Sequence, residues 1–168
     1  RLEIEMSIVQ TLVDSYRFNR GRTLGLLEQI EQLPDPLRAL GFRPGPGRAH
    51  AGWQLMHIGI TEELFATERL APEKQGAFVE WWPRFRGGST PDDQIPDPAL
   101  IRQVLSQSRE HLLDTLAKIG DDRLGEIPPA MAARKMTLLD VLHIIGWHEG
   151  HHQGQAHITC NLFKAQAG

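Results

Sequence analysis

The sequence predicts an all-α protein, a four-helix bundle in a single domain spanning residues 1–168. Three observations carry this. Four long stretches repeat apolar residues every three or four positions, the period of one helix face. Proline and glycine clusters separate them. The chain has 168 residues, 40% hydrophobic and 23% charged, which suits one core.

The first helix is expected over residues 3–33. Its stripe is Ile4, Ile8, Leu12, Tyr16, Asn19, Thr23, Leu26, Leu27, Ile30 and Leu33, and Pro34 and Pro36 stop it. The stripe turns polar at Tyr16, Asn19 and Thr23, either as a partly exposed face or as the lining of a polar pocket. Residues 34–47 are punctuated by glycine and proline and read as a connection. The second helix runs from about Arg48 to Leu70, with Trp53, Met56, His57, Ile60, Leu64 and Phe65 on its face. His50 is expected at the surface or in the first turn.

Residues 71–96 form a long irregular crossover, which would let the second and third helices run parallel. It contains Trp81-Trp82-Pro83-Arg84-Phe85-Arg86. Crossovers of this length are commonly functional or mobile. This one reads as a plug over the bundle, or as a lid whose Arg84 or Arg86 meets an acidic group of a ligand. The third helix opens with Asp97 as cap and Pro98 in its first turn, and runs to Gly120 along Ile101, Val104, Leu105, Ser108, Leu112, Thr115, Leu116 and Ile119. His111, at the edge of that stripe, reads as a surface histidine or a reserve ligand. A second connection, 120–136, leads to Thr137 and Asp140, which make a capping-box-like start. The fourth helix continues to about Phe163.

That last helix carries the chemistry. Leu138, Val141, Leu142 and Ile145 form an aliphatic stripe whose next positions are His148, His152 and Gln155. His148 and His152 sit about 40° apart and about 6 Å apart along the axis, close enough to share one metal ion. His148-Glu149-Gly150-His151-His152 also satisfies H-E-x-x-H, the zinc protease pattern. That class needs a third ligand downstream, but Gln155 and Ile158 stand at the glycine and histidine positions of one version. No acid follows residue 152 for the other. The third ligand must come from upstream, and His57 is the best candidate. Three neutral imidazoles leave a coordination position open, as in catalytic rather than structural zinc sites. Glu149 and Gln155 are then candidate catalytic groups, Glu149 as base or as partner of a ligand imidazole. Tyr16, Asn19, Trp53, His151 and Arg84 are candidate pocket residues.

The net charge is −3 with no basic stripe, so nucleic acid is not an expected partner. No apolar run approaches a membrane span. The one cysteine, Cys160, permits no internal disulfide, fits a reducing, cytoplasmic compartment, and reads as a small buried apolar residue.

His57 within Trp53-Gln54-Leu55-Met56-His57-Ile58, the capped fourth helix, and Trp147-His148-Glu149-Gly150-His151-His152-Gln153-Gly154-Gln155 resemble the DinB-like superfamily, with its YfiT-like metal-dependent hydrolases. The resemblance covers nearly the whole chain in helix order and length, and the fourth helix is its most specific part. It implies a bundle of up-down-down-up order, often a homodimer. It also implies a metal site on His57, His148 and His152 holding zinc or nickel. The implied activity is a thiol-dependent transfer on a small-molecule substrate, with a low-molecular-weight thiol as cosubstrate, or else hydrolysis. The alternative is a non-catalytic metal-binding or interaction bundle, in which a fourth protein ligand such as His50 or His111 closes the site. One departure is Gln153, where many relatives carry a basic residue.

Overall fold

The computed structural model describes residues 7–167, and among them every regular element is helical. Four long helices dominate: α1 (Ile8–Glu31), α3 (Ala51–Leu64), α5 (Pro98–Leu116) and α6 (Leu138–Ala167). Two short ones lie in the connections, α2 (Pro36–Gly41) and α4 (Trp82–Phe85). None is long and apolar enough to cross a membrane.

The expected start of the first helix at residue 3, with Ile4, lies outside the described residues. Ser7 caps α1, its side chain accepting from the Gln10 amide. Asp121, from the distant 120–136 connection, accepts from the amides of Ile8 at 2.7 Å and Val9 at 3.0 Å. These contacts satisfy donors that a helix start leaves open. The buried face of α1 is Val9, Val13, Tyr16, Arg20, Thr23, Leu26, Leu27 and Ile30. This corrects the first half of the expected stripe. Ile8 is exposed and Leu12 only half-buried. Steps of four drift around the helix, whereas alternating threes and fours hold one face. That correction puts Arg20 on the inner face.

The connection after α1 folds a turn of helix that was not expected. Asp35 accepts from the Arg38 amide and Pro36 opens α2, the same Asp-Pro start that Asp97 and Pro98 give α5. Helix α3 begins at His50, its cap, and is buried along its whole length. Beyond Leu64 it widens into a π-helical turn, Phe65–Arg69, in which the Leu70 amide donates to the Phe65 carbonyl. Helix α5 stops at Leu116, short of Ile119. Thr137 and Asp140 exchange hydrogen bonds as a capping pair, and α6 runs unbroken to Ala167, past the expected end at Phe163.

Helix α3 packs on α5 and α6, and α1 packs on α6 and α5. Along α1 and α6 the contacts rise together: Tyr16 with Leu142, Asn19 with Gly146, Thr23 with Glu149. Along α3 and α6 they run oppositely, His57 with His148 and Gln54 with His152.

The α3–α5 approach is closest at Gly59. A Cβ there would lie 2.7 Å from Val104 Cγ1 and 3.3 Å from the Val104 carbonyl carbon. A Gly59→Ala variant gains about 1 kcal/mol of helix propensity and loses about 1–3 kcal/mol to overpacking. A lower thermal midpoint is therefore expected in a circular dichroism melt. A higher one would contradict this contact.

Candidate metal centre

His57 on α3 and His148 and His152 on α6 bring one nitrogen each to within 4.8 Å of one another. His148 Nε2 lies 3.0 Å from His57 Nε2. The rings pack with centroids 4.5–4.8 Å apart. His57 is buried and the other two are half-buried. The aliphatic stripe of α6 does lead straight into this cluster.

The backs of the rings are held. His57 Nδ1 lies 2.6 Å from the Phe85 carbonyl, which only accepts, so Nδ1 carries the proton and Nε2 presents a lone pair. His152 Nδ1 lies 2.5 Å from Gln54 Oε1 and 3.1 Å from Gln155 Oε1. The same logic leaves its Nε2 free. Orientation by an oxygen on the far nitrogen is how proteins prepare imidazoles for metals. Trp53 stacks on His57 at 4.5 Å and 16°, and its indole N–H donates to the Arg84 carbonyl.

Burial, aided by the neighbouring imidazoles, pushes His148 down to about 2 and His152 to about 4; burial also lowers His57. The rings are thus neutral at physiological pH. Three neutral imidazoles converging in a desolvated site, two with fixed tautomers, fit a divalent cation. A pH effect follows for the metal-free protein. The folded values lie below the ordinary histidine value of 6.5. Below that pH the unfolded chain takes up protons that the folded chain refuses. Stability is therefore full above about pH 6.5 and falls as pH drops toward 4. Urea midpoints in chelator measure this, and His148→Leu should flatten the slope.

Other expected residues lie elsewhere. Glu149 does not face the cluster. It lies about 100° around α6 from His148, and its carboxylate accepts from Arg20 at 2.7 Å, Thr23 at 2.8 Å and Arg109. The expectation of a base or imidazole partner is corrected accordingly. The Tyr16 hydroxyl donates to the Leu142 carbonyl in the core, and burial raises its pKa. Tyr16 is packed in the core rather than set at a cavity wall. Asn19 borders a groove of about 450 Å³ on the α1–α6 face with Gln153 and His157, away from α3. Arg84 forks onto Asp92 inside its own loop and donates to the Gln94 carbonyl, the plug arrangement rather than the lid. His151 stacks on the exposed Trp147 at 4.9 Å and touches Gln155, at the rim of the cluster. His50 is buried rather than superficial, and its Nδ1 caps α3 by accepting from the Trp53 amide. His111 meets Glu63 at 3.3 Å. Neither joins the cluster. Cys160 is buried, as expected.

The sequence reading missed Gln54 and the Phe85 carbonyl. Gln54 stands three residues before His57, a signal available in the sequence. A loop carbonyl leaves no such trace. Also missed was a buried charge cluster with one member from each long helix: Arg20, Glu62, Arg109 and Glu149. Arg20 reaches Glu62 at 2.8 Å, and Arg109 contacts both carboxylates. Burial pulls the Glu62 carboxyl upward, but Arg20 and Arg109 outweigh it and hold it below its ordinary value.

No curated protein matches the chain. The family described as the DinB superfamily matches residues 15–156.

Proposed function

Because the chain belongs to the DinB superfamily, we propose that His57, His148 and His152 hold one divalent metal ion, zinc or nickel, and that the protein is a thiol-dependent S-transferase. The observation that carries the reading is the convergence of three neutral imidazole nitrogens within 4.8 Å, two of them backed by oxygen acceptors. When bound, such an ion supplies Lewis acidity that favours the thiolate form of a small thiol.

The chain's own residues do the rest. The Phe85 carbonyl and Gln54 fix the rings, Trp53 shields His57 from water, and the half-buried side of His148 and His152 leaves the approach for a small-molecule substrate. Gln155, with its oxygen on His152 and its amide nitrogen 3.0 Å from His151 Nε2, is placed to position that substrate. His50 and His111, the histidines that could otherwise supply a fourth ligand, are engaged elsewhere, which favours an open site over a closed structural one.

The up-down-down-up order belongs to the same proposal, supported by the contact registers of α1, α3 and α6. So does a homodimer, supported by the exposed Phe18 and Ile158 on the α1–α6 face. The test is a panel of metal-loaded protein, several small thiols and a generic electrophile. Turnover requiring both ion and one thiol is expected. Ester or amide hydrolysis without a thiol would replace the transferase reading with a hydrolase.

A further inference from the structure

A cavity opens one turn along the seam that holds the histidines. His148, His152, Gln155 and Thr159 step by four, three and four along α6, which keeps them on one helix face. Where that face reaches Gln155 and Thr159, it borders a cavity of about 320 Å³ together with Gln54 of α3 and the 44–49 connection. That volume is at the lower end for small-molecule sites. The cavity meets the cluster by direct contact. Gln54 and Gln155 both line it, and their side-chain oxygens lie 2.5 Å and 3.1 Å from His152 Nδ1.

Gln54 is only half used by the protein. It is 7% exposed. Its oxygen accepts from His152, but among the described residues its amide nitrogen meets no acceptor. A buried amide carries donors as well as an acceptor, and nearly all such donors in folded proteins have a partner. The other polar groups on the wall are already engaged. The Gln155 amide nitrogen faces His151 Nε2 at 3.0 Å, and the Thr159 hydroxyl donates to the Gln155 carbonyl at 2.9 Å. Ala49 and Ile158 add apolar surface, and the charged Arg48 is exposed.

We infer that this cavity takes an uncharged carbonyl group, with Gln54 Nε2 donating to its oxygen, and that the carbonyl is an arm of the small molecule that meets the metal centre. The second half rests on the metal-centre reading and names a substrate class for it. A neutral amide donor pairs with a neutral carbonyl without burying a charge, whereas a carboxylate held there would need a buried cation beside it. Gln54 also joins the two sites. A carbonyl on its nitrogen holds its oxygen against His152, so carbonyl and metal each strengthen the binding of the other.

The first test uses the metal-free full chain and reads the cavity alone. In a proton–nitrogen correlation titration, N-butylacetamide should shift the Gln54 side-chain amide signals to saturation. Hexanoate and hexanol should bind about fivefold more weakly, the scale of one net hydrogen bond. Ala49→Leu fills the cavity and should abolish the binding. Gln54→Glu keeps an oxygen for His152 but removes both donors, so it should lose the amide preference and still bind zinc in a calorimetric titration. The second test uses the chain loaded with cobalt(II), whose visible spectrum reports a thiol on the ion. Acetamidoalkanethiols with two to four carbons between sulfur and nitrogen should bind about fivefold more tightly than alkanethiols of equal length. That advantage should vanish in both variants. Hexanoate binding as tightly as the amide, or an amide preference that survives Gln54→Glu and Ala49→Leu, overturns the inference and leaves the metal centre standing. Amide binding to the metal-free chain with no thiol effect on the cobalt spectrum supports the carbonyl site and removes the metal–thiol reading, so the two failures are told apart.

Discussion

An Arg109→Ala variant unfolds roughly 10 °C below the wild-type protein, an expectation built from about 3–5 kcal/mol for stranding a buried charge and about 2–4 °C per kcal/mol at this chain length. Arg109 is 6% exposed and contacts Glu62 on α3, Glu149 on α6 and the Tyr16 carbonyl on α1. Its removal leaves two buried carboxylates opposite the single cation of Arg20. The thermal midpoint by calorimetry measures the effect, and a shift of a degree or two would show that the four groups are not coupled. Replacing all four members with apolar residues of similar volume should leave stability equal or higher, since the whole set then needs no desolvation. The cluster contributes placement of α6. Glu149 is held by two other helices, and His148, one residue earlier, is thereby turned toward His57.

Removing one of the three imidazoles of the proposed metal centre is expected to act on metal affinity rather than on the fold. Dividing the about 10–16 kcal/mol of a four-ligand zinc site among its ligands gives about 2.5–4 kcal/mol each, so His148→Ala should lower metal affinity by about 60-fold to 700-fold. Gln54→Ala, which removes only an oxygen behind His152, should cost about tenfold to a hundredfold. Calorimetric titration with zinc and nickel distinguishes the two. Equal affinities for wild type and His148→Ala would remove His148 from the site. The metal-free variants should fold, because α6 is anchored at Thr137–Asp140, at Glu149 and along its aliphatic stripe.

The three converging imidazoles were legible because helices declare their faces. His148 and His152 continue the stripe of Leu138, Val141, Leu142 and Ile145, and His57 lies inside the stripe of α3. The downstream gap in the H-E-x-x-H pattern directed the search upstream, where the third ring stands. Less legible was anything set by pairing across the fold. Glu149 was expected near the ion because sequence distance gave its angle from His148, but not which neighbour fills that angle. Arg20 lay hidden by a small error of period. Choosing Ile8 and Leu12 instead of Val9 and Val13 moved the inner face off it. The Asp35-Pro36 start of α2 was readable by the rule that located α5. The Phe85 carbonyl was not readable, because a backbone oxygen has no residue type.

The most direct test of the metal centre is anomalous diffraction at the zinc or nickel edge from crystals of the metal-loaded protein. One peak per chain is predicted, with one nitrogen from each of His57, His148 and His152 at about 2.0–2.1 Å. A peak that lacks any of the three imidazoles, or no peak at all, would contradict the account.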